Sequence, residues 1–213
     1  MTAKLVWITP DAEKHIAYLA RVSNPKASLD DDSKKLINYL FKNKHWSPFE
    51  MVCACVEIKT TRDIAHQIIR HRSFHFQEFS QRYSKVTERP VFGAPRLQDP
   101  NNRQNSIELD DNEFWDGLKE HWDFAQREVW KIGYHQYSMA LEAGIAKEVA
   151  RKLLPEGLTP TKMYMQGTIR DWIHYISIRT QPSTQLEHRA VANEILNELK
   201  TVIPEVLKAT LDD

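Results

Sequence analysis

Residues 70 to 84 read Arg-His-Arg-Ser-Phe-His-Phe-Gln-Glu-Phe-Ser-Gln-Arg-Tyr-Ser. Arg70, Arg72 and Arg82 stand there with His71, His75 and one acid, Glu78, among Phe74, Phe76 and Phe79. Guanidinium groups held beside apolar side chains without carboxylates are costly to desolvate. An anionic ligand offsets that cost, because the planar fork meets phosphate or carboxylate oxygens two at a time. The run is therefore a candidate anion site, with a solvated charged turn as the competing reading. His71, His75 and Glu78 fall at spacings of four and three. A continuous helix would bring them to one face as a zinc or iron set for a metal-dependent hydrolase, although the neighbouring cations oppose a metal ion. Ser80 lacks a glycine-flanked nucleophile elbow, so a hydrogen bond to ligand suits it better.

Glycine is scarce. Its six copies are scattered, and none forms a dinucleotide or Walker-type loop. Bound phosphates must then be held by side chains, and Arg151, Arg170, Arg179 and Arg189 add to the supply. Arg170 and His174 lie one helical turn apart. Cys53 and Cys55 alternate on an apolar segment, share one face of a strand, and are expected as buried reduced thiols.

The elements that must position these groups follow from periodicity. Lys4 to Ile8 reads as a strand, Asp11 to Arg21 as a helix, and Val22 to Leu29 as a loop. A helix follows the acidic run before Ser33, with Leu36, Ile37, Leu40 and Phe41 inward. Pro48 should hold Ser47 extended. Phe49 to Thr60 reads as a strand, and Thr61 to His71 as a helix with Ile64, Ile68 and Ile69 inward. Phe79 to Val86 should be extended, and Thr87 to Glu108 a long surface loop. Trp115, Leu118, Trp122, Ala125, Val129 and Ile132 recur at three and four, giving a helix that stops at Gly144. Trp115, Trp122 and Trp130 are expected on its buried stripe. A short helix from Ala146 to Leu153, a strand from Leu158 to Gln166, and helices over Arg170 to Ile178 and Thr184 to Ile203 complete the chain.

The chain has 213 residues, 41% hydrophobic and 27% charged, which fits one α+β domain over 1–213. Its 29 basic and 29 acidic residues cancel, so no general attraction to nucleic acid or anionic membrane is expected. No apolar run reaches membrane-spanning length, Met1 to Lys14 lacks a signal-peptide core, and a cytoplasmic location is expected.

Arg70-His71-Arg72, seven residues, then Ser80 with Arg82 two further on resembles the signature of the flavin-dependent thymidylate synthases. The likeness extends through Ala20-Arg-Val-Ser23, Leu36 to Leu40, His45-Trp-Ser-Pro-Phe-Glu50 and Ile64 to Val86. It resumes at Glu148-Val-Ala-Arg151, Leu154-Pro155, Arg170 to Arg179 and Gln185-Leu-Glu187. The resemblance implies a small mixed or antiparallel sheet flanked by long helices, assembled as a homotetramer with shared active sites. It implies FAD as cofactor and conversion of dUMP to dTMP without a cysteine nucleophile. Methylenetetrahydrofolate would supply carbon and NADPH the electrons.

By the same likeness, FAD contacts fall on Ser47, Arg70, His71, Arg72, Glu78, Arg170 and His174, with Thr168 where the family frequently has asparagine. Contacts to dUMP fall on Gln67, Arg70, Glu78, Ser80, Gln81, Arg82, Arg151 and Arg179, with Arg82 and Arg151 at the phosphate. Arg179 would be the catalytic cation that polarises the pyrimidine. Met51 stands where the family frequently has histidine. A non-catalytic nucleotide-binding protein on the same scaffold is the alternative.

Overall fold

Alternating and β-branched residues form the strands, and amphipathic runs form the helices that cover them. The computed structural model describes residues 1–211. In chain order the first elements are β1 (Thr2–Ile8), α1 (Ala12–Ala20), α2 (Lys34–Lys42), α3 (Ser47–Glu50), β2 (Cys53–Thr61), α4 (Arg62–Ile68) and β3 (His75–Glu78). They are followed by β4 (Arg96–Gln98), β5 (Ser106–Glu108), α5 (Asp116–Glu142), α6 (Lys147–Ala150), β6 (Pro160–Thr168), α7 (Ile169–Arg179), α8 (Leu186–Lys200) and α9 (Pro204–Leu211). The fold is α+β. Its described residues group into two compact units, one of 1–58, 68–77 and 163–211, the other of 59–67 and 78–162.

The first unit holds a four-stranded sheet in the order β1-β2-β6-β3. Its central strands, β2 and β6, are buried along most of their length, whereas β1 at the edge alternates towards solvent. Ile16, Ile37, Phe49, Val56, Met163, Met165, Trp172 and Ile195 form part of its core. Gly167 is required by close approach: a Cβ there would lie 2.6 Å from the Phe74 ring. Thr168 opens α7 through a capping box, accepting from the Asp171 amide while Asp171 accepts from the Thr168 amide. The Glu13 carboxylate accepts from the Glu205 and Val206 amides, 2.7 and 3.0 Å away, at the start of α9.

The second unit is built on α5. Tyr137, Ala140, Val86 and Ala150 form its buried centre, with Trp130, Tyr134 and Leu154 packed against them. Tyr137 Oη accepts from the Val86 amide, and Tyr134 Oη donates to the Val86 carbonyl. Strands β4 and β5 pair antiparallel, with Leu97 opposite Ile107.

Several expectations need correction. Ser47 is not extended: it opens α3 with Pro48 behind it, since a first helical turn needs no amide from proline. The strand expected from Phe49 therefore starts at Cys53. Helix α4 ends at Ile68, and amide bonds from His71 to Ile68 and from Phe74 to His71 close turns after it. Ile69 is consequently exposed, 39% accessible. The extended segment is His75–Glu78, whereas the Tyr83 and Ser84 amides both bond the Ser80 carbonyl in turns. The premise of the metal site, one helical face carrying His71, His75 and Glu78, fails with that geometry. The long loop contains the β4–β5 pair, and the last expected helix is interrupted before Pro204, which opens α9.

The α5 stripe is the largest correction. Leu118, Trp122, Val129 and Ile132 are exposed, and only Gln126, Tyr137 and Ala140 of the helix are buried. Of the three tryptophans expected inward, Trp130 packs on the core and Trp122 is 44% exposed. The expected spacing exists, but within its own chain the core contacts the neighbouring face of the helix, through Trp130, Tyr134 and Tyr137.

Candidate functional site

The first unit gathers the expected cofactor-side residues other than Glu78. The early end of α4 leaves Arg70 and Arg72 exposed on the turn, with His71 half-buried between them. Helix α7 presents Arg170 and His174 on its exposed face, one turn apart, and Arg179 at its last residue. Arg170 Nη1 donates to the Glu50 carboxylate on α3, close to the exposed Ser47. Arg179 Nε donates to His71 Nε2 at 2.8 Å. Burial, with the charge of Arg179 and then His174, pushes the His71 pKa down to about 4. His71 is thus neutral at pH 7, with a lone pair for the guanidinium and its own proton on Nδ1.

Behind His71 lies an aromatic wall. The Tyr175 ring meets it edge-on with centroids 4.9 Å apart, and Phe74 and Trp172 continue the packing. Tyr175 Oη lies 3.0 Å from His188 Nε2 on α8. Both residues are fully buried. Neither was singled out from sequence. The available signal was His188 falling on the apolar stripe of Val191, Ala192, Ile195 and Leu199.

Thr168 lies apart from this cation set in role. Its hydroxyl donates to Asp171 Oδ2 at 2.6 Å within the capping box, so helix initiation already accounts for the residue. Met51, the other departure, is 66% exposed at the end of α3.

The second unit gathers most of the expected substrate-side residues. Arg62, Gln81, Arg151, Lys152, Leu154, Glu156 and Thr159 line a cavity of about 230 Å³. Gln81 is buried, and its Nε2 has no hydrogen-bond partner. A buried donor left unpaired is costly, and an acceptor entering beside Arg151 would satisfy it. Arg82 points elsewhere, pairing through Nε with Glu148 at 3.2 Å on an exposed surface. Glu78 Oε1 accepts from Arg62 Nη1 at 3.0 Å and Thr161 Oγ1 at 2.8 Å, which fixes the carboxylate. Gln67 is half-buried on α4, and the half-buried Ser80 begins the turn towards Arg82. Arg62, Lys152 and Thr159 were missed because isolated cations and threonines carry no pattern of their own.

Cys55 cannot supply a ready thiolate. Both cysteines are free on β2, and burial pushes the Cys55 pKa up. Among the described residues, no group of three His, Cys, Asp or Glu could hold a metal ion.

The cations of the first unit, without a glycine-rich backbone cradle, fit a cofactor whose phosphates are gripped by side chains. Comparison with known proteins agrees with such chemistry. The family model described as "Thymidylate synthase complementing protein" matches residues 4–205. A probable flavin-dependent thymidylate synthase of Paramecium bursaria Chlorella virus 1 is 45% identical over 219 residues, covering 98% of each chain. A flavin-dependent thymidylate synthase of Synechocystis sp. is 49% identical over 177 residues, covering 83% of this chain and 79% of the other. The crystal structure of a UMP/dUMP methylase, PolB from Streptomyces cacaoi, bound with 5-Br dUMP, superposes with a TM-score of 0.84 at 25% identity. It covers 99% of this chain and 94% of its own. With the Arg-His-Arg turn, the α7 cations and a match along nearly the whole described chain, this protein belongs to the flavin-dependent thymidylate synthase family.

Proposed function

We propose that this chain methylates dUMP reductively to dTMP, taking carbon from methylenetetrahydrofolate and electrons from NADPH through FAD. The flavin cofactor and the synthase activity follow the family. The dUMP assignment is supported by the likeness to PolB bound with 5-Br dUMP. The observation that carries the mechanism is Arg179, held through Nε by a neutral His71 at 2.8 Å.

Arg179 acts on the pyrimidine. With Nε committed to His71, its two terminal amino groups are the donors that meet ring oxygen and nitrogen. A fixed cation beside O2 and N3 favours the ionised ring and raises electron density at C5. This replaces attack by a cysteine, in keeping with the buried, protonated Cys55. Arg151 and Arg82 bind the phosphate of dUMP, and Gln81, Ser80, Gln67, Arg70 and Glu78 orient it. The unpaired Gln81 Nε2 beside Arg151 supports that reading. Bound FAD supplies hydride chemistry. Ser47, Arg70, His71, Arg72, Glu78, Arg170, His174 and, more peripherally, Thr168 hold it.

The two compact units work as one domain, a reading supported by the family model spanning residues 4–205. The enzyme is a cytoplasmic homotetramer. Two free cysteines suit a reducing compartment, and the exposed α5 stripe supplies apolar surface that copies of the chain would cover. Among the described residues no helix is long and apolar enough to cross a membrane.

The decisive test is dUMP-stimulated NADPH oxidation with dTMP formation by the purified yellow protein. Arg179→Ala should keep its flavin spectrum and lose at least about a hundredfold in turnover, the scale of removing a preorganised electrostatic donor. Normal dTMP formation by that variant contradicts the role of Arg179. Binding of dUMP and flavin without NADPH oxidation by the wild type would instead mark a non-catalytic nucleotide binder.

A further inference from the structure

His188 occupies a position on α8 that its own helix reserves for apolar side chains, and it is fully buried. An imidazole there is costly unless its nitrogens find partners. Nε2 has one, the Tyr175 hydroxyl at 3.0 Å, while Nδ1 has none. A leucine would fill the site without an unsatisfied nitrogen, so packing alone does not account for histidine.

The contacts lead towards the reaction centre. Tyr175 stands edge-on to His71 with ring planes at 72°, and the His188 ring itself lies 6.4 Å from His71 at 89°. His71 Nε2 then accepts from Arg179 Nε. One hydrogen bond between α8 and α7 therefore stands behind the imidazole that aims the guanidinium. The deeper histidine is also neutral at pH 7: burial, then the charges of Arg179 and His71, pushes its pKa down to about 3.

We propose that His188 and Tyr175 are positioning residues for Arg179, their hydrogen bond fixing the wall against which His71 stands and through it the direction of the guanidinium fork. The inference rests on reading Arg179 as the group that polarises the pyrimidine. A displacement of about 1 Å in such a group can cost about a hundredfold in rate. No contact between His188 and either ligand is required.

The test uses the flavin-loaded enzyme and three variants. Tyr175→Phe removes only the hydroxyl, His188→Leu fills the volume without a hydrogen bond, and His188→Gln can still meet the Tyr175 hydroxyl. Tyr175→Phe and His188→Leu should each lower kcat about tenfold, with KM for dUMP and flavin content nearly unchanged, and His188→Gln should recover most of the loss. A readout independent of turnover is the Arg179 Nε–H resonance in protein labelled with ¹⁵Nε-arginine, assigned by its loss in Arg179→Lys. Its solvent exchange should accelerate at least about tenfold in the two disrupting variants, as expected when a buried hydrogen bond is loosened. Wild-type kcat together with wild-type exchange in Tyr175→Phe overturns the proposal, and this variant decides should His188→Leu fail to fold. Accelerated exchange in a chain whose wild type forms no dTMP overturns the functional reading and leaves the positioning role standing.

Discussion

Arg82 and Arg151 carry the same expected duty, yet they are held differently. Arg151 lines a cavity with the unpaired amide of Gln81, whereas Arg82 is engaged by Glu148 at 3.2 Å on the surface. An exposed ion pair is worth little, so a phosphate can displace Glu148 at small cost. Arg82→Ala should therefore weaken dUMP binding about tenfold or more while leaving FAD binding intact, the usual effect of removing one charge-assisted phosphate contact. Glu148→Gln, which releases the guanidinium, should tighten dUMP a few-fold. Calorimetric titration of both variants with each ligand checks this, and equal weakening of dUMP and FAD by Arg82→Ala contradicts the phosphate assignment. At this scale the sequence was informative about residue types and silent about pairing. Arginine clusters announce an anion, but only folded positions reveal which guanidinium already has a carboxylate.

Elements with strong periodicity were legible: β1, α1, α2, β6 and α7 stand close to where alternation or helical spacing puts them. The misses share one cause. Around Arg70 to Val86, short-range composition could not say where helix became turn and turn became strand, because β3 is only four residues long and gains its order from sheet pairing. Ser47 was read from the rule for residues before proline, while the one-turn helix α3 uses that proline in its first turn. Nor could sequence show why Gly167 is glycine. The Phe74 ring fills the space a Cβ would take and is itself wedged against Trp172 at 4.7 Å and Tyr175 at 5.9 Å. Gly167→Ala should thus destabilise the protein by about 1–3 kcal/mol through overpacking. A thermal melt lower by several degrees is the expected reading, and an unchanged melt means that the aromatic wall yields.

Across the whole molecule, two features set how stability responds to conditions. His71 and His188 have folded pKa values of about 4 and about 3 against an ordinary 6.5. The unfolded chain therefore takes up their protons first as pH falls. Their contribution is complete above pH 6.5 and declines as pH drops towards 4, by on the order of 1 kcal/mol per pH unit for each histidine. Denaturant midpoints measured from pH 7 to pH 4.5 should fall, and less steeply in His188→Gln; a flat profile contradicts the neutral, buried state of the pair. The second feature is α5, whose spacing was readable although the face it buries was not. Val129→Asp or Ile132→Asp places a charge on the exposed stripe, away from the core formed by Tyr137 and Ala140. Under the proposed homotetramer, either change should give smaller species in light scattering while leaving helix content unaltered, and an unchanged particle size would point to assembly through another face.

A helix greasy on two sides leaves a newly made chain in a precarious interval. In the single chain the outer ridge bearing Trp122, Val129 and Ile132 is wet. If copies of the chain cover that ridge, as proposed, mass action links survival to abundance: dilute preparations should melt earlier than concentrated ones, and scarce copies in a cell should be culled before they ever turn over substrate.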